Sequence, residues 1–481
     1  MEQKQQPNGE LEWRINLGDG SSSKTLVPEA GITRRAWQGL KGLIESFLVK
    51  KVWRFLKKAW DLGVDDPRIF FHCLKVGIAL SIVSLFYYMR PLYDGFGGNA
   101  MWAVMTVVVV FENNVGASVC KCLNRICGTS LAGSLAFCVH YLASKSGHKF
   151  EPFIVGTSVF LLASVATFSR FIPSVKARFD YGAMIFILTF SLVSLSGYRV
   201  DELLDMAHER ISTIIVGTSL CILVSMLICP IWAGGELHAL INRNMDKLAN
   251  SLEGCTGEFF KSNGGLGESN KESNEKLLGF KCILASKANE ETMAKFALWE
   301  PAHGQFNYKH PWKQYLKIGA SIRSCAYCLE ALNACINSDH KIPESIMKHV
   351  SDTCLRVSSN ASSVIRELAE TIKTMKRSST IDVLVGEMNS SVQELQEDLK
   401  SLPQNETPII DMIPVLTCVS LLIEIANRVE AIVDAVKELS KLADFGFRDQ
   451  DKSNQNQSKS DGNIMQEKRR VEETMMALQR V

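Results

Sequence analysis

The sequence predicts an all-α integral membrane protein, with six transmembrane helices arranged in three hairpins and a C-terminal cytosolic helical domain. Three observations carry that prediction. Six mostly apolar runs crowd into residues 69–231 of a 481-residue chain. The links between them are only about ten residues long. Past residue 231 the pattern turns into Lys/Glu-rich amphipathic helix. With 46% hydrophobic and 22% charged residues, the chain is neither uniformly polar nor uniformly apolar, and its net charge of +2 hides a strong segregation along the sequence.

Residues 1–68 form a cytosolic N-terminal segment. Its first thirty residues lack a basic start followed by an apolar core, so no secretory signal is expected. Within it, AWQGLKGLIESFLVKKVWRFLKKAW (36–60) reads as a basic amphipathic helix, with Trp37, Leu40, Ile44, Phe47, Leu48 and Phe55 on one face and lysines on the other. Such a helix suits an anionic headgroup surface.

The transmembrane domain, 69–231, follows. A hydrocarbon core of about 30 Å needs roughly 20 mostly apolar residues per helix. The six runs are 69–89, 99–111, 126–143, 152–168, 181–197 and 211–231, the second of them short. Gly77, Gly128, Gly133, Gly182 and Gly217 are expected to let helices approach closely in lipid. Lysine and arginine set orientation: the N-terminal flank, the second loop (Lys121, Arg125) and the fourth loop (Arg170, Lys176, Arg178) are basic, and the odd loops are leaner. Both termini are therefore expected to face the cytosol.

Residues 232–447 read as the cytosolic helical domain and 448–481 as a disordered polar tail. The apolar run 412–423 holds Pro414 and continues as an amphipathic pattern, so a buried bundle helix is expected there rather than a seventh span. The fourteen cysteines form no disulfide framework. Cys325-Ala-Tyr-Cys328 has no second ligand pair and sits in a helical pattern, which makes packing its expected role. Gly128–Gly133 lacks the lysine of a phosphate loop, and no basic-aromatic nucleic-acid module is present. Neither an enzyme nor a nucleic-acid partner is expected.

Cations in or beside the spans are the chemical signal. Lys75 lies about two turns into the first run, Arg125 opens the third and Arg210 begins the sixth from the opposite side. Ionisable groups in spans are costly and face a bundle interior or water. Basic side chains are what an anion pathway requires. Glu112, near the cytosolic end of the second span, is a gating candidate.

The blocks FGGNAMWAVMTVVVVFE (96–112), LNRICGTSLAGSLAF (123–137), RFIPSVKARFDYGAMIFILTF (170–190), SGYRVDELLDMAHERIS (196–212), CPIWAGGELH (229–238) and WEPAHG (299–304) resemble the plant aluminium-activated malate transporter family, from about residue 67 to about 335. The resemblance implies a homodimeric anion channel for malate and other organic or inorganic anions. It places Arg210 at a basic pore position. It also places Asp94, Asp201 and Asp205 at the extracellular acidic cluster of aluminium-responsive members, with the aluminium ion as activator. Asp201 and Asp205, four apart, share a helix face, and carboxylate oxygens suit a small hard cation. A plasma-membrane location is expected rather than a vacuolar one. The alternative reading is a coupled organic-anion or aromatic-acid efflux carrier, which should show mid-depth acids or broken helices; the spans carry no mid-depth acid, which favours the channel.

Overall fold

A computed structural model of the chain describes residues 50–89, 100–147, 149–196, 200–261, 279–336, 344–401 and 409–447. They fold almost wholly as α-helix and belong to two compact units, residues 1–74 and 75–481.

In the first unit, α1 spans Lys50–Asp65. It covers the second half of the predicted amphipathic helix; residues 36–49 lie outside the described residues. Trp53, Phe55 and Trp60 are all at least 70% exposed beside Lys50, Lys51, Arg54, Lys57 and Lys58. The helix α2, Pro67–Tyr88, starts at Pro67, and the Asp66 carboxylate accepts from the Arg68 amide at 3.1 Å. Proline at the first helical position leaves no amide unsatisfied, and the aspartate before it caps the turn.

From Lys75 onward the second unit begins with the rest of α2, then α3 (Ala100–Val110), α4 (Val115–Lys145), α5 (Glu151–Ser169), α6 (Pro173–Ser196) and α7 (Val200–Leu227). Five of the expected spans are long and apolar enough to cross a membrane; α3 is an 11-residue apolar helix. Their boundaries differ from the sequence expectation. The helix α4 begins eleven residues early because the Asn114 side chain accepts from the Ala117 amide at 2.7 Å, a cap on the first turn. Lys121 and Arg125 are therefore helical, not loop residues. Pro173 likewise starts α6 ahead of Lys176 and Arg178, and α7 starts ten residues before Arg210, so Arg210 lies inside a helix rather than at its head.

Small residues make the packing possible. A Cβ at Gly128 would stand 2.7 Å from the Gly182 carbonyl oxygen, and one at Gly182 would stand 2.8 Å from Asn124 Oδ1, so α4 and α6 meet backbone to backbone. A Cβ at Gly217 of α7 would stand 3.0 Å from the Thr106 Cβ of α3. Gly77 and Gly133, expected to act in the same way, meet nothing within 4 Å.

The rest of the second unit is a helical bundle: α8 (Ala233–Lys261), α9 (Gly279–Leu284), α10 (Lys287–Ala297), α11 (Trp312–Ile336), α12 (Glu344–Thr374), α13 (Thr380–Lys400) and α14 (Ile409–Leu442). Its core runs from Leu237 to Phe445 and includes the fully buried Leu248, Tyr315, Ile318, Ile365 and Val429. A two-residue parallel pairing, β1 (Lys376–Arg377) with β2 (Gly446–Phe447), closes one end. The residues 412–442 of α14 are a sixth stretch long and apolar enough to cross a membrane. Yet Val415, Cys418, Val419, Leu422, Ile425 and Val429 pack into the bundle core against α11 and α12, as a buried bundle helix should.

Candidate functional site: buried cations along α7

Lys75 is 2% exposed, and its Nζ donates to the Cys229 carbonyl at 2.8 Å, just beyond the last turn of α7. Helix C-termini leave carbonyls unpaired and carry the negative end of the helix dipole, so an ammonium is well placed there. Cys229 adopts φ +39°, which turns the chain sharply towards α8.

Arg125 is 7% exposed on α4. One terminal nitrogen donates to the Tyr181 hydroxyl of α6 at 3.1 Å, and its Nε has no partner. Its charge lies within Coulombic range of the Cys122 and Cys221 thiols, which places it at mid-level on α7. Cys122, three residues before it on α4, meets the Thr218 carbonyl of α7 at 3.7 Å. One turn further along α4, the buried Thr129 hydroxyl also lacks a partner.

Arg210 is half-buried on α7, with its guanidinium carbon 4.4 Å from the centre of the Trp102 ring of α3 and its Nε unpartnered. Sequence reasoning missed both Trp102 and Tyr181. Each is one aromatic among other apolar residues of its run, and only the fold brings it to a cation.

At a rise of about 1.5 Å per residue, α7 runs roughly 25 Å from Arg210 to its end at Leu227, with Cys221 between them and Cys229 just beyond. That is close to the thickness of a hydrocarbon core. Among the described residues, none of the three cations has a carboxylate within ion-pair distance.

Glu112 lies in the short turn between α3 and α4. Its carboxylate pairs with Lys121, and its backbone amide donates to Ser118 Oγ at 3.0 Å. The Lys121 ammonium also stands 5.7 Å from the centre of the Tyr181 ring, so Glu112 connects through Lys121 to the ring whose hydroxyl holds Arg125. Asp94 lies outside the described residues. Asp201 and Asp205 stand one turn apart on α7, and their side chains are outside the described set. No group of three or more metal-ligating side chains occurs among the described residues. Cys325 and Cys328 are thiols on α11, Cys325 fully buried, in keeping with packing.

The block WEPAHG proves structural in a way that its letters do not reveal. Glu300 is 4% exposed and accepts from the Ala233 amide at 2.5 Å and the Gly234 amide at 3.0 Å, at the N-terminus of α8. Burial pushes its carboxyl up, and the amides at Gly234, Ala233 and Gly116 oppose that shift. His303 stacks on Trp232 with ring centres 3.9 Å apart, its Nε2 3.9 Å from the Glu300 carboxylate. A Cβ at Gly116 would stand 2.3 Å from the Phe296 carbonyl oxygen, and one at Gly234 2.4 Å from Trp312. Only glycine fits at either place, and the close approach joins the start of α4 to the bundle.

Comparison with known proteins accords with this architecture. The family model for aluminium activated malate transporters matches residues 60–407. Aluminum-activated malate transporter 10 of Arabidopsis thaliana is 51% identical over 490 residues, covering 94% of this chain and 98% of the relative. Aluminum-activated malate transporter 2 of the same plant is 46% identical, covering 87% of this chain and 84% of the relative. Aluminum-activated malate transporter 1 of Triticum aestivum is 40% identical, with 81% and 86% covered. The similarity thus runs well past the blocks that first reveal it. The family is one of transporters rather than enzymes, and this chain belongs to the aluminium-activated malate transporter family.

Proposed function

We propose that this protein is an anion channel that passes malate and other organic or inorganic anions across a plant membrane. Malate comes from the names of its relatives. The channel reading rests chiefly on one observation: three cations, Lys75, Arg125 and Arg210, are set at three levels along α7 and its C-terminal end, and their partners among the described residues are all neutral. A permeating dicarboxylate needs its hydration replaced at each level without a deep trap, and spaced single cations meet that need. Lys75 keeps two N–H donors beyond the one held by Cys229, and Arg125 keeps Nε and most of its fork. Glu112 gates by holding or releasing Lys121 beside Tyr181.

In this reading, residues 232–447 form a cytosolic domain, both termini are cytosolic, the subunits pair as a homodimer and the plasma membrane is the site of action. Asp94, Asp201 and Asp205 form the extracellular response site for aluminium. Three carboxylates are a hard-oxygen donor set that fits a small trivalent cation. When bound, the ion neutralises charge that otherwise repels malate.

The test is voltage-clamp recording with malate, nitrate, chloride or sulfate as the sole anion, with and without external aluminium. Malate current that Asp201→Asn with Asp205→Asn renders insensitive to aluminium supports the reading. Absence of any anion current from protein present at the membrane rejects it.

A further inference from the structure

Fourteen cysteines are thiols in this protein, and four of them converge from four different helices of the bundle: Cys255 of α8, Cys335 of α11, Cys354 of α12 and Cys418 of α14. Two are in direct contact. The sulfurs of Cys335 and Cys418 are 3.1 Å apart, although 83 residues separate them in sequence. The other two stand further off: Cys255 meets Asn333 Oδ1 at 3.7 Å, and Cys354 reaches Cys418 only as a Coulombic neighbour. The cluster does not close around a metal, since no set of three or more ligating side chains among the described residues could hold one. What remains is a pair.

We propose that Cys335 and Cys418 form a reversible disulfide when the bundle meets hydrogen peroxide, a modification site that clamps the last turn of α11 to the N-terminal part of α14. Closing from 3.1 Å to a bond of about 2.05 Å requires roughly 1 Å of movement, within reach of side-chain rotation. The two residues differ in access. Cys335 is half-buried at the penultimate position of α11, whereas Cys418 is 1% exposed. Burial raises the Cys418 thiol, and its neighbouring cysteines raise it further, so it is the poorer first nucleophile.

The order of events follows. The Cys335 sulfur attacks peroxide, the O–O bond breaks, Cys335 becomes a sulfenic acid and one water leaves. The Cys418 sulfur then attacks the sulfenic sulfur, and the S–S bond forms as the S–O bond breaks. The Cys418 proton leaves with the hydroxide as a second water. In total two thiols and one peroxide give one disulfide and two waters. A cellular dithiol reverses the step by exchange, as suits a transient bridge in a reducing compartment.

The geometry also explains why these two sulfurs meet. Pro414, inside α14, leaves its own carbonyl within 3.6 Å of the Cys335 sulfur, and Cys418 lies one turn further along the same face. The end of α11 is thus seated on that turn of α14, with the thiols at its centre. This pair is distinct from Cys325 and Cys328, which lie two to three turns earlier on α11.

The experiment uses the full chain in detergent micelles, exposed to hydrogen peroxide, alkylated under denaturing conditions and digested without reduction for mass spectrometry. The expected product is a Cys335 peptide joined to a Cys418 peptide with two hydrogen atoms lost, returned to two alkylatable thiols by dithiothreitol. In Cys418→Ala, Cys335 should stop at the sulfenic acid and be trapped by dimedone, at least several-fold more than in the unaltered chain. The proposal is overturned if both cysteines remain thiols while the exposed Cys282 is oxidised. It is equally overturned if Cys335 links to Cys255 or Cys354, or proceeds to sulfinic acid with Cys418 still reduced. The unaltered chain answers the main question, so a variant that fails to fold leaves the test intact.

Discussion

The helical bundle and the apolar helices treat buried charge in opposite ways. In the bundle, the buried Asp, Glu, Lys and Arg side chains among the described residues are two carboxylates, Glu290 and Glu300, each met by strong donors. Glu290 accepts from Ser286 Oγ at 2.6 Å and pairs with Arg323, and Glu300 accepts from two helix-start amides. In the apolar helices, the buried charged side chains among the described residues are two cations, each met by a neutral oxygen: Lys75 by a carbonyl and Arg125 by a phenol. Burying an ion without a counter-charge is expensive, and in lipid more so. Under the proposed channel function, cations left under-satisfied in this way are the groups that an arriving ligand would complete. An anion would complete them. The difference teaches that the two regions are told apart by how far a buried ion is satisfied, more than by the presence of charge, and the proposed anion pathway turns on that difference.

The bundle side of this contrast has the largest expected effect. Arg323→Ala removes the cation that pairs with Glu290, whose side chain is 1% exposed, and leaves a carboxylate in the core. A loss of about 3–5 kcal/mol of stability is expected, read as a lowered unfolding temperature of the full chain in detergent. A loss below about 1 kcal/mol, the value of a surface pair, would show that Ser286 suffices and would break the contrast.

The membrane side should behave in reverse. Replacing an under-satisfied buried ion with an apolar side chain of similar size is commonly neutral or stabilising. Arg125→Met should therefore leave thermal stability unchanged or raised while malate current falls about tenfold or more. A cation within 4 Å of a permeating anion attracts it by about 4 kcal/mol at an effective dielectric of 20, so partial loss of that term is enough. A melting temperature several degrees lower with current intact would make Arg125 and Tyr181 a structural tie.

Much of this was legible in the sequence, and the failures have physical causes. Apolar length identified five spans, and the mixed periodicity of 412–442 assigned it to a core even though its composition alone passes for a span. Helix starts were misplaced because hydropathy registers hydrocarbon, whereas caps such as Asn114 and prolines such as Pro173 start helices in polar sequence. Lys75, Arg125 and Arg210 stood out as charges among apolar residues. Their partners did not: a backbone carbonyl 154 residues away has no sequence signature, nor does a phenol 56 residues away. Glu300 was visible only as part of a resembling block, since its role is to cap a helix that begins 67 residues earlier.

A third expectation sharpens the bundle side by pH. His310 is 8% exposed, and its Nε2 meets the Tyr315 hydroxyl at 3.1 Å; that hydroxyl also meets His238 Nδ1 at 3.0 Å. Burial, with His238 beside it, lowers His310 to about 4. Its folded value lies below its unfolded one, so the unfolded chain binds the extra proton between about pH 6.5 and pH 4. Stability is full above that window and falls as pH drops through it, by up to about 1.4 kcal/mol per pH unit from this group. His310→Gln should flatten that slope in pH-dependent melting curves. An unchanged slope would assign the acid sensitivity to other groups.

The smallest effect tests how Arg210 is held. Its guanidinium lies 4.4 Å from the centre of the Trp102 ring, a geometry worth about 0.5–2 kcal/mol that depends on the π face and not on a counter-ion. Such a hold orients the cation without neutralising it, which is what a site for a transient anion requires. Trp102→Leu keeps an apolar side chain at that place but removes the π face, so Arg210 gains freedom while its charge stays. A reduction of malate current by a few-fold is expected, smaller than the loss in Arg210→Ala, and Trp102→Phe should restore part of it. In the double variant the Trp102 change should add nothing, because its only route to the anion is through Arg210. If Trp102→Leu lowers the current equally with and without Arg210, the indole acts by itself, and the two residues are neighbours rather than a unit.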